Sequence, residues 1–190
     1  MQILKDRIVS DGKVMPGGIL NVAAFLNQQV DINLYNEIGR EFRRLFGDVP
    51  VTRILTIEAS GIGVACVTAQ YFNVPVVFAR KFRAKNLEDN LFCAQVTSFT
   101  HGVDYQITVP KPYLKESDSV LLIDDFLANG CALEGLADLV QAAGAKLVGA
   151  GIVIEKGFQH GGKRFRERHI RLESLAIIDS MDPVTGFVFR

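Results

Sequence analysis

The sequence predicts an α/β fold: a mostly parallel sheet flanked by helices, with a small N-terminal hood and a flexible lid loop. Three observations lead there. From residue 52 onward, short β-branched apolar runs alternate with longer segments of helical composition, the pattern of strands joined through helices. Acidic or small residues stand at the ends of three such runs: Glu58-Ala59-Ser60-Gly61, Asp124-Asp125 and Glu155-Lys156. A chain of 190 residues with 48% hydrophobic content can bury one full core, so a single domain over residues 1–190 is expected.

The opening stretch, MQILKDRIVSDG, sets charges within an amphipathic pattern and lacks the apolar core of a signal peptide. Residues 1–50, with MPGGIL and AAFLNQQV, form the expected hood. A helix over residues 31–46 puts Leu34, Ile38, Phe42 and Leu45 on one side, and Asp31 is placed to cap it. Residues 52–57 (TRILTI) read as a buried strand, 61–72 (GIGVACVTAQYF) as a helix and 74–79 (VPVVFA) as a second strand. Residues 81–110 break the alternation. They are polar first, then alternate as in a hairpin at Tyr105, Ile107 and Val109. An insert of this length inside a compact domain reads as a functional lid. The third strand is 120–123. Leu133, Leu136, Val140 and Ala143 then mark a helix face that ends at Gly144. Residues 147–154 and 170–178 complete five strands.

Twenty-one basic residues balance twenty-one acidic ones, which argues against a nucleic-acid surface. No uncharged run is long enough to span a bilayer. Cys66, Cys93 and Cys131 are widely separated and form no CxxC pair, so they read as reduced thiols of a cytoplasmic protein.

In an open parallel sheet, ligands bind beyond the carboxyl ends of the strands, and the three polar strand ends would share that rim. Several nucleotide motifs come close. VLLIDD resembles a magnesium-binding Walker B strand, but the nearest Walker A, GFQHGGKR, has Arg164 where the metal-binding Ser or Thr belongs and follows the acidic strand. GIGVAC approaches a dinucleotide fingerprint, but Cys66 replaces its last small residue and the next strand ends in Arg80-Lys81 without an acidic ribose ligand. A sugar diphosphate fits better. Asp124 and Asp125 can accept hydrogen bonds from vicinal ribose hydroxyls. The following turn of mostly small residues leads into a helix N-terminus suited to a phosphate. Ser60 and Gly61 offer a second set of N–H donors.

These residues carry a resemblance that covers almost the whole chain. VLLIDDFLANG resembles the phosphoribosyl-diphosphate signature of the type I phosphoribosyltransferases. IEASGI resembles the family's pyrophosphate loop, FARK the entry to its flexible loop, and AAFLNQQVD and VIEK its base-site segments. The resemblance implies that Asp124 and Asp125 hold the ribose hydroxyls, and that Ala128, Asn129, Gly130, Cys131 and Ala132 hold the 5-phosphate. It implies that Glu58, Ala59, Ser60 and Gly61 form the pyrophosphate loop, with a cis peptide between Glu58 and Ala59. Leu20, Asn27 and Lys156 would contact a purine, xanthine foremost, with guanine and hypoxanthine as alternatives. Arg80 and Lys81 would reach the pyrophosphate in the same or a neighbouring subunit of a homodimer. Mg2+ would arrive with phosphoribosyl diphosphate, with no direct protein ligand. Relatives often carry Arg or Lys in the pyrophosphate loop, where this chain has Ala59-Ser60. The alternative from another class is a phosphoribosyl-diphosphate-sensing regulator, which would need a basic face or an added nucleic-acid module. The basic residues Lys163, Arg164, Arg166 and Arg168 read as a solvated helix face.

Overall fold

A strand covered on both faces needs apolar residues at every position, because successive side chains point opposite ways. The central strand meets this rule with Val120 and Leu122 in one buried cluster and Leu121 and Ile123 in the other. In the computed structural model, which describes residues 1–82, 90–98 and 103–190, this strand organises the rest. The chain begins with α1 (Gln2–Asp11), a hairpin of β1 (Lys13–Met15) and β2 (Ile19–Asn21), a π-helical turn (Ala23–Asn27) and α2 (Ile32–Leu45). There follow β3 (Arg53–Ile57), α3 (Ser60–Phe72), β4 (Val76–Phe82), β5 (Leu91–Ser98) and β6 (Val103–Pro110). The last part comprises β7 (Ser119–Leu127), α4 (Cys131–Ala142), β8 (Lys146–Lys156), α5 (Gly161–Glu167), β9 (Leu172–Asp182) and β10 (Gly186–Phe189).

The main sheet has the order β10-β9-β8-β7-β3-β4-β6-β5. Strands β9, β8, β7, β3 and β4 run parallel. Antiparallel β10 closes one edge, and the β5–β6 hairpin extends the other by pairing with β4. The insert between the second and third predicted strands therefore widens the sheet. Its expected lid portion falls largely on residues 83–89 and 99–102, which lie outside the described residues.

Two apolar layers sandwich the sheet. On one face, α1, the π-helical turn, α2 and α3 contribute Leu4, Ile8, Phe25, Leu26, Ile38, Phe42 and Val64. On the other, α4 lays Leu133, Leu136 and Val140 against Leu122, Ile152 and the hairpin's Val96 and Ile107. Asp31 accepts hydrogen bonds from the backbone N–H groups of Asn33 and Leu34 and so caps α2. Gly144 adopts a left-handed φ of 68° just past α4, which stops that helix.

The strand ends differ from the sequence expectation in one way that matters for function. The third strand does not stop at Ile123; β7 runs on to Leu127. It stays paired with β8 as far as Leu127 opposite Glu155, whereas its last partner on β3 faces Leu122. Beyond Ile123 one edge of β7 is thus released by β3 while the other is held. The apolar pattern cannot reveal this, because the extension carries two carboxylates.

Gly151 in β8 lies under α2. A Cβ there would come within 2.7 Å of the Phe42 ring and 2.8 Å of Ile123. Gly151→Ala should therefore destabilise the fold by about 1–3 kcal/mol through overpacking, measured as a lower urea midpoint at unchanged slope.

Candidate active site

Asp124 and Asp125 occupy the stretch of β7 that β3 has released. Both are buried, and the alternation of the strand sends them to opposite faces. Asp124 lies toward the hairpin side: the Lys81 ammonium bears on it electrostatically, and its own charge bears on Tyr105. Asp125 lies toward the hood side, where Ser60 hydrogen-bonds it and its charge bears on Tyr35. The backbone N–H of Asp125 donates to Asp124 Oδ1 at 3.0 Å. Burial and then the charge of Asp125 push the Asp124 carboxyl well above the ordinary carboxylate range. Burial also raises Asp125, against the hydrogen bond from Ser60. The pair is costly to ionise together, a cost that a hydroxylated ligand donating to both would relieve.

Two helix N-termini meet this rim. The peptide between Glu58 and Ala59 is cis, and α3 starts directly after it at Ser60. A Cβ on Gly61 would fall 2.3 Å from Thr56 Oγ1 and 2.6 Å from Asp124 Oδ1. Only glycine lets α3 pass this close to the carboxylate. Glu58 turns its carboxylate to the backbone N–H of Lys81 at 2.7 Å, which ties the loop to β4. After β7, residues Ala128, Asn129 and Gly130 turn the chain into α4, with Gly130 at φ 90°. Neither α3 nor α4 is capped by a side chain. Their first N–H groups thus keep their hydrogen-bonding capacity for an anion. A cavity of about 170 Å³ lies over the second turn, with Asn129, Gly130, Cys131 and Ala132 on one side and Thr97 and Tyr105 of the hairpin on the other. Burial, then Glu134, pushes the Cys131 thiol up, so it stays neutral there.

The remaining candidates spread around this centre. Leu20 is buried in the apolar cluster that holds Phe25, Leu26 and Phe126 of β7. Asn27 is exposed at the end of the π-helical turn. Lys156 ends β8, half-buried, with its ammonium pKa lowered by desolvation. Lys81 stacks its ammonium 5.7 Å from the Tyr105 ring. Arg80, on the opposite face of β4, stacks on Phe78 at 5.7 Å. Thus Asp124, Lys81 and Tyr105 come together, and Asp125 joins Ser60 and Tyr35, while Arg80 points elsewhere.

Two side chains at the centre went unnoticed in the sequence. Tyr35 of α2 donates its hydroxyl to the Leu26 carbonyl in the hood, packs against Gly63 of α3 and is pushed up to about 12 by burial and the Asp125 charge. Tyr105 showed only as a hairpin residue. The expected solvated face holds for Lys163, Arg164 and Arg168, which are exposed, and needs correcting for Arg166. Arg166 makes a two-pronged pair with buried Glu155, at 2.8 and 2.7 Å, and Arg164 pairs with Glu134 at 2.9 Å. Those carboxylates come from distant strands and helices, which local charge patterning cannot pair.

Residues 31–181 match the phosphoribosyl transferase domain family, so the chain belongs to that family. It is 61% identical, over the whole of its length and 98% of the relative's, to a protein of Lachnoclostridium phytofermentans named xanthine phosphoribosyltransferase. It is 54% identical to one of the same name from Ruminiclostridium cellulolyticum, with 96% of each chain covered. Among solved structures, the APRTase from Giardia lamblia complexed with 9-deazaadenine superposes with a TM-score of 0.76 at 24% identity, covering 92% of this chain and 96% of that one. The adenine phosphoribosyl transferase of Trypanosoma brucei gives 0.75 at 20% identity over 92% and 78%. At those identities the likeness speaks for the fold.

A carboxyl whose folded pKa is raised stabilises the fold while protonated and loses that contribution as pH rises from about 4 through the folded value. Asp124→Asn removes the group that titrates this way. The variant should melt above the parent by about 2–4 °C at pH 8, the shift that ~1 kcal/mol gives a domain of this size. The gap should narrow at pH 5. Paired thermal scans at the two pH values check both statements.

Proposed function

We propose that this enzyme transfers the 5-phosphoribosyl group from phosphoribosyl diphosphate to xanthine in purine salvage, giving xanthosine monophosphate and pyrophosphate. The observation that carries the reading is the buried pair Asp124 and Asp125 between two uncapped helix N-termini, in a chain of this family. Close full-length relatives named for xanthine supply the base.

On this reading the ribose hydroxyls donate to Asp124 and Asp125. The 5-phosphate takes N–H groups from Ala128, Asn129, Gly130, Cys131 and Ala132, and the diphosphate those of Ser60 and Gly61. The bond from C1 to the diphosphate oxygen breaks as a purine ring nitrogen bonds to C1, and that nitrogen's proton leaves to solvent. Positive charge develops on the sugar beside the carboxylates, and negative charge on the diphosphate beside helix N-termini, an arrangement that favours the transition state over the ground state. Lys81, whose charge bears on Asp124, can turn toward the diphosphate.

Mg2+ fits this donor set as a companion of the substrate. The site offers the hard carboxylate oxygens of Asp124 and Asp125, a chemistry that suits Mg2+. When bound, it would offset charge on the leaving diphosphate. A cytoplasmic homodimer, with Arg80 or Lys81 facing a neighbouring site, belongs to the same proposal. Among the described residues, no helix is long and apolar enough to cross a membrane.

For the base, Lys156 offers donors only and suits a 6-oxo group better than the amino group of adenine. Asn27 can donate to the 2-oxo group that distinguishes xanthine from guanine. Incubation with phosphoribosyl diphosphate, magnesium and each purine in turn, with the nucleotide product identified, tests the reading. Faster turnover of guanine or hypoxanthine would overturn the choice of base, and no nucleotide from any base would overturn the activity.

Two variants sharpen this. Asp125→Asn should keep the fold and lose about 10²–10³-fold in kcat, the range for removing one preorganised electrostatic group. Asn27→Asp puts an acceptor where xanthine needs a donor. It should lower the xanthine-to-guanine ratio of kcat/KM at least about tenfold, roughly 1.4 kcal/mol of differential binding. Lys156→Ala should instead weaken all 6-oxopurines together.

A further inference from the structure

The segment GFQHGGKR, close in pattern to a phosphate-binding loop, holds no part of the site described above. Its glycines nevertheless lie directly behind the turn assigned to the 5-phosphate. The backbone N–H of Gly161 donates to the Ala128 carbonyl at 3.1 Å. A Cβ on Gly161 would stand 2.4 Å from that oxygen, 2.6 Å from Gly130 N and 2.8 Å from Asn129 C. Three consecutive residues of the turn thus rest on one glycine.

The next residue faces the other way. A Cβ on Gly162 would meet Glu155 Oε1 at 1.9 Å. Burial alone would raise the Glu155 carboxyl, but hydrogen bonds from Arg166 and Ser174 outweigh it and hold the group below the ordinary carboxylate range. The fork of Arg166 fixes direction as well as charge, and Glu155 is anchored in β8. The first turn of α5 is therefore wedged between an immobile carboxylate and the phosphate turn. Arg164 adds a tie to Glu134 in the first turn of α4.

We propose that Gly161 and the Arg166–Glu155 pair are positioning residues for the phosphate turn. They press α5 against its outer side so that its N–H groups are set before substrate arrives. A turn that binds by backbone groups alone gains affinity from such preorganisation, since ordering it on binding would cost conformational entropy. The inference rests on the reading that residues 128–132 hold the 5-phosphate.

The test compares Gly161→Ala and Arg166→Lys with the parent and with Gly151→Ala, which strains the fold beneath α2. Steady-state kinetics with xanthine and phosphoribosyl diphosphate are combined with calorimetric binding of ribose 5-phosphate. Gly161→Ala should raise both the KM for phosphoribosyl diphosphate and the Kd for ribose 5-phosphate at least tenfold. Its kcat at saturation should stay within threefold and its KM for xanthine within twofold. Arg166→Lys keeps a charge beside Glu155 but loses the fork, and should raise the same two constants about threefold. Gly151→Ala should lower Tm and move neither. Parent-like constants in a folded Gly161→Ala protein would overturn the proposal, as would an equal rise in the KM for xanthine or an equal effect from Gly151→Ala. If Gly161→Ala does not fold, Arg166→Lys decides in the same way. A parent that binds no ribose 5-phosphate would sink the underlying phosphate-site reading, an outcome separate from a loss confined to the variants.

Discussion

Two carboxylates on neighbouring residues of a buried strand repel each other and lose their hydration, and no core would keep them without a use. The structure keeps them by ending the β3–β7 pairing at Leu122 while β3 stays with β4, so that the pair emerges along a strand with one free edge. Around it the protein supplies partial compensation: the Ser60 hydroxyl beside Asp125, the Lys81 charge near Asp124 and the Asp125 backbone N–H. That compensation is incomplete, since both carboxyls stay raised. On the proposed function, the remainder falls to the hydroxyls of the ligand.

The helix ends add to this. Asp31 caps α2, whereas α3 and α4, like α1 and α5, begin without a side-chain cap, and of these it is α3 and α4 that start at the rim beside the carboxylates. Small residues at those two starts allow backbone to approach a ligand closely. They also allow close approach within the protein, as Gly61 does beside Asp124. Tyr35 links these parts. It hydrogen-bonds the hood turn that ends in Asn27, packs on α3 and senses the charge of Asp125. The turn proposed to read the base and the carboxylates proposed to hold the sugar are thereby joined through one buried phenol.

Much of this could be read from the residues alone, for physical reasons. Buried parallel strands need continuous apolar runs, so TRILTI and VLLI announced themselves, and Asp124-Asp125 stood out because such residues are costly there. The length of β7 could not be read, since Asp124 and Asp125 interrupt its apolar run before Phe126 and Leu127, and pairing with β8 carries the strand through them. The role of α5 was hidden for a related reason. Three basic residues on a short helix and Arg168 just past it read as solvated, and nothing local shows that the fold brings Glu155 within reach of Arg166 and Glu134 within reach of Arg164. The GGKR glycines suggested a phosphate loop. Their use is instead steric, as close-packing residues behind another turn. Tyr35 gave no signal beyond its place beside the apolar stripe of α2.

A final tension concerns charge. Phosphoribosyl diphosphate is highly anionic, yet the rim carries two buried carboxylates and, at Ala59-Ser60, no basic residue in the loop proposed for its diphosphate. Coulombic attraction by side chains cannot be the main source of affinity at that loop. The arrangement works if charge is sorted by position: carboxylates against the neutral hydroxyls of the sugar, and backbone dipoles against the phosphates at either end. Backbone donors hold their geometry without the entropy cost of long side chains, and they do not attract the carboxylates into closed ion pairs. A lysine in the loop would invite a salt bridge with Asp124 or Asp125 in the free enzyme, silencing the groups proposed to face the developing cation. On the proposed function, small residues there keep the carboxylates available and leave neutralisation of the diphosphate to Lys81 and to a cation that would travel with it.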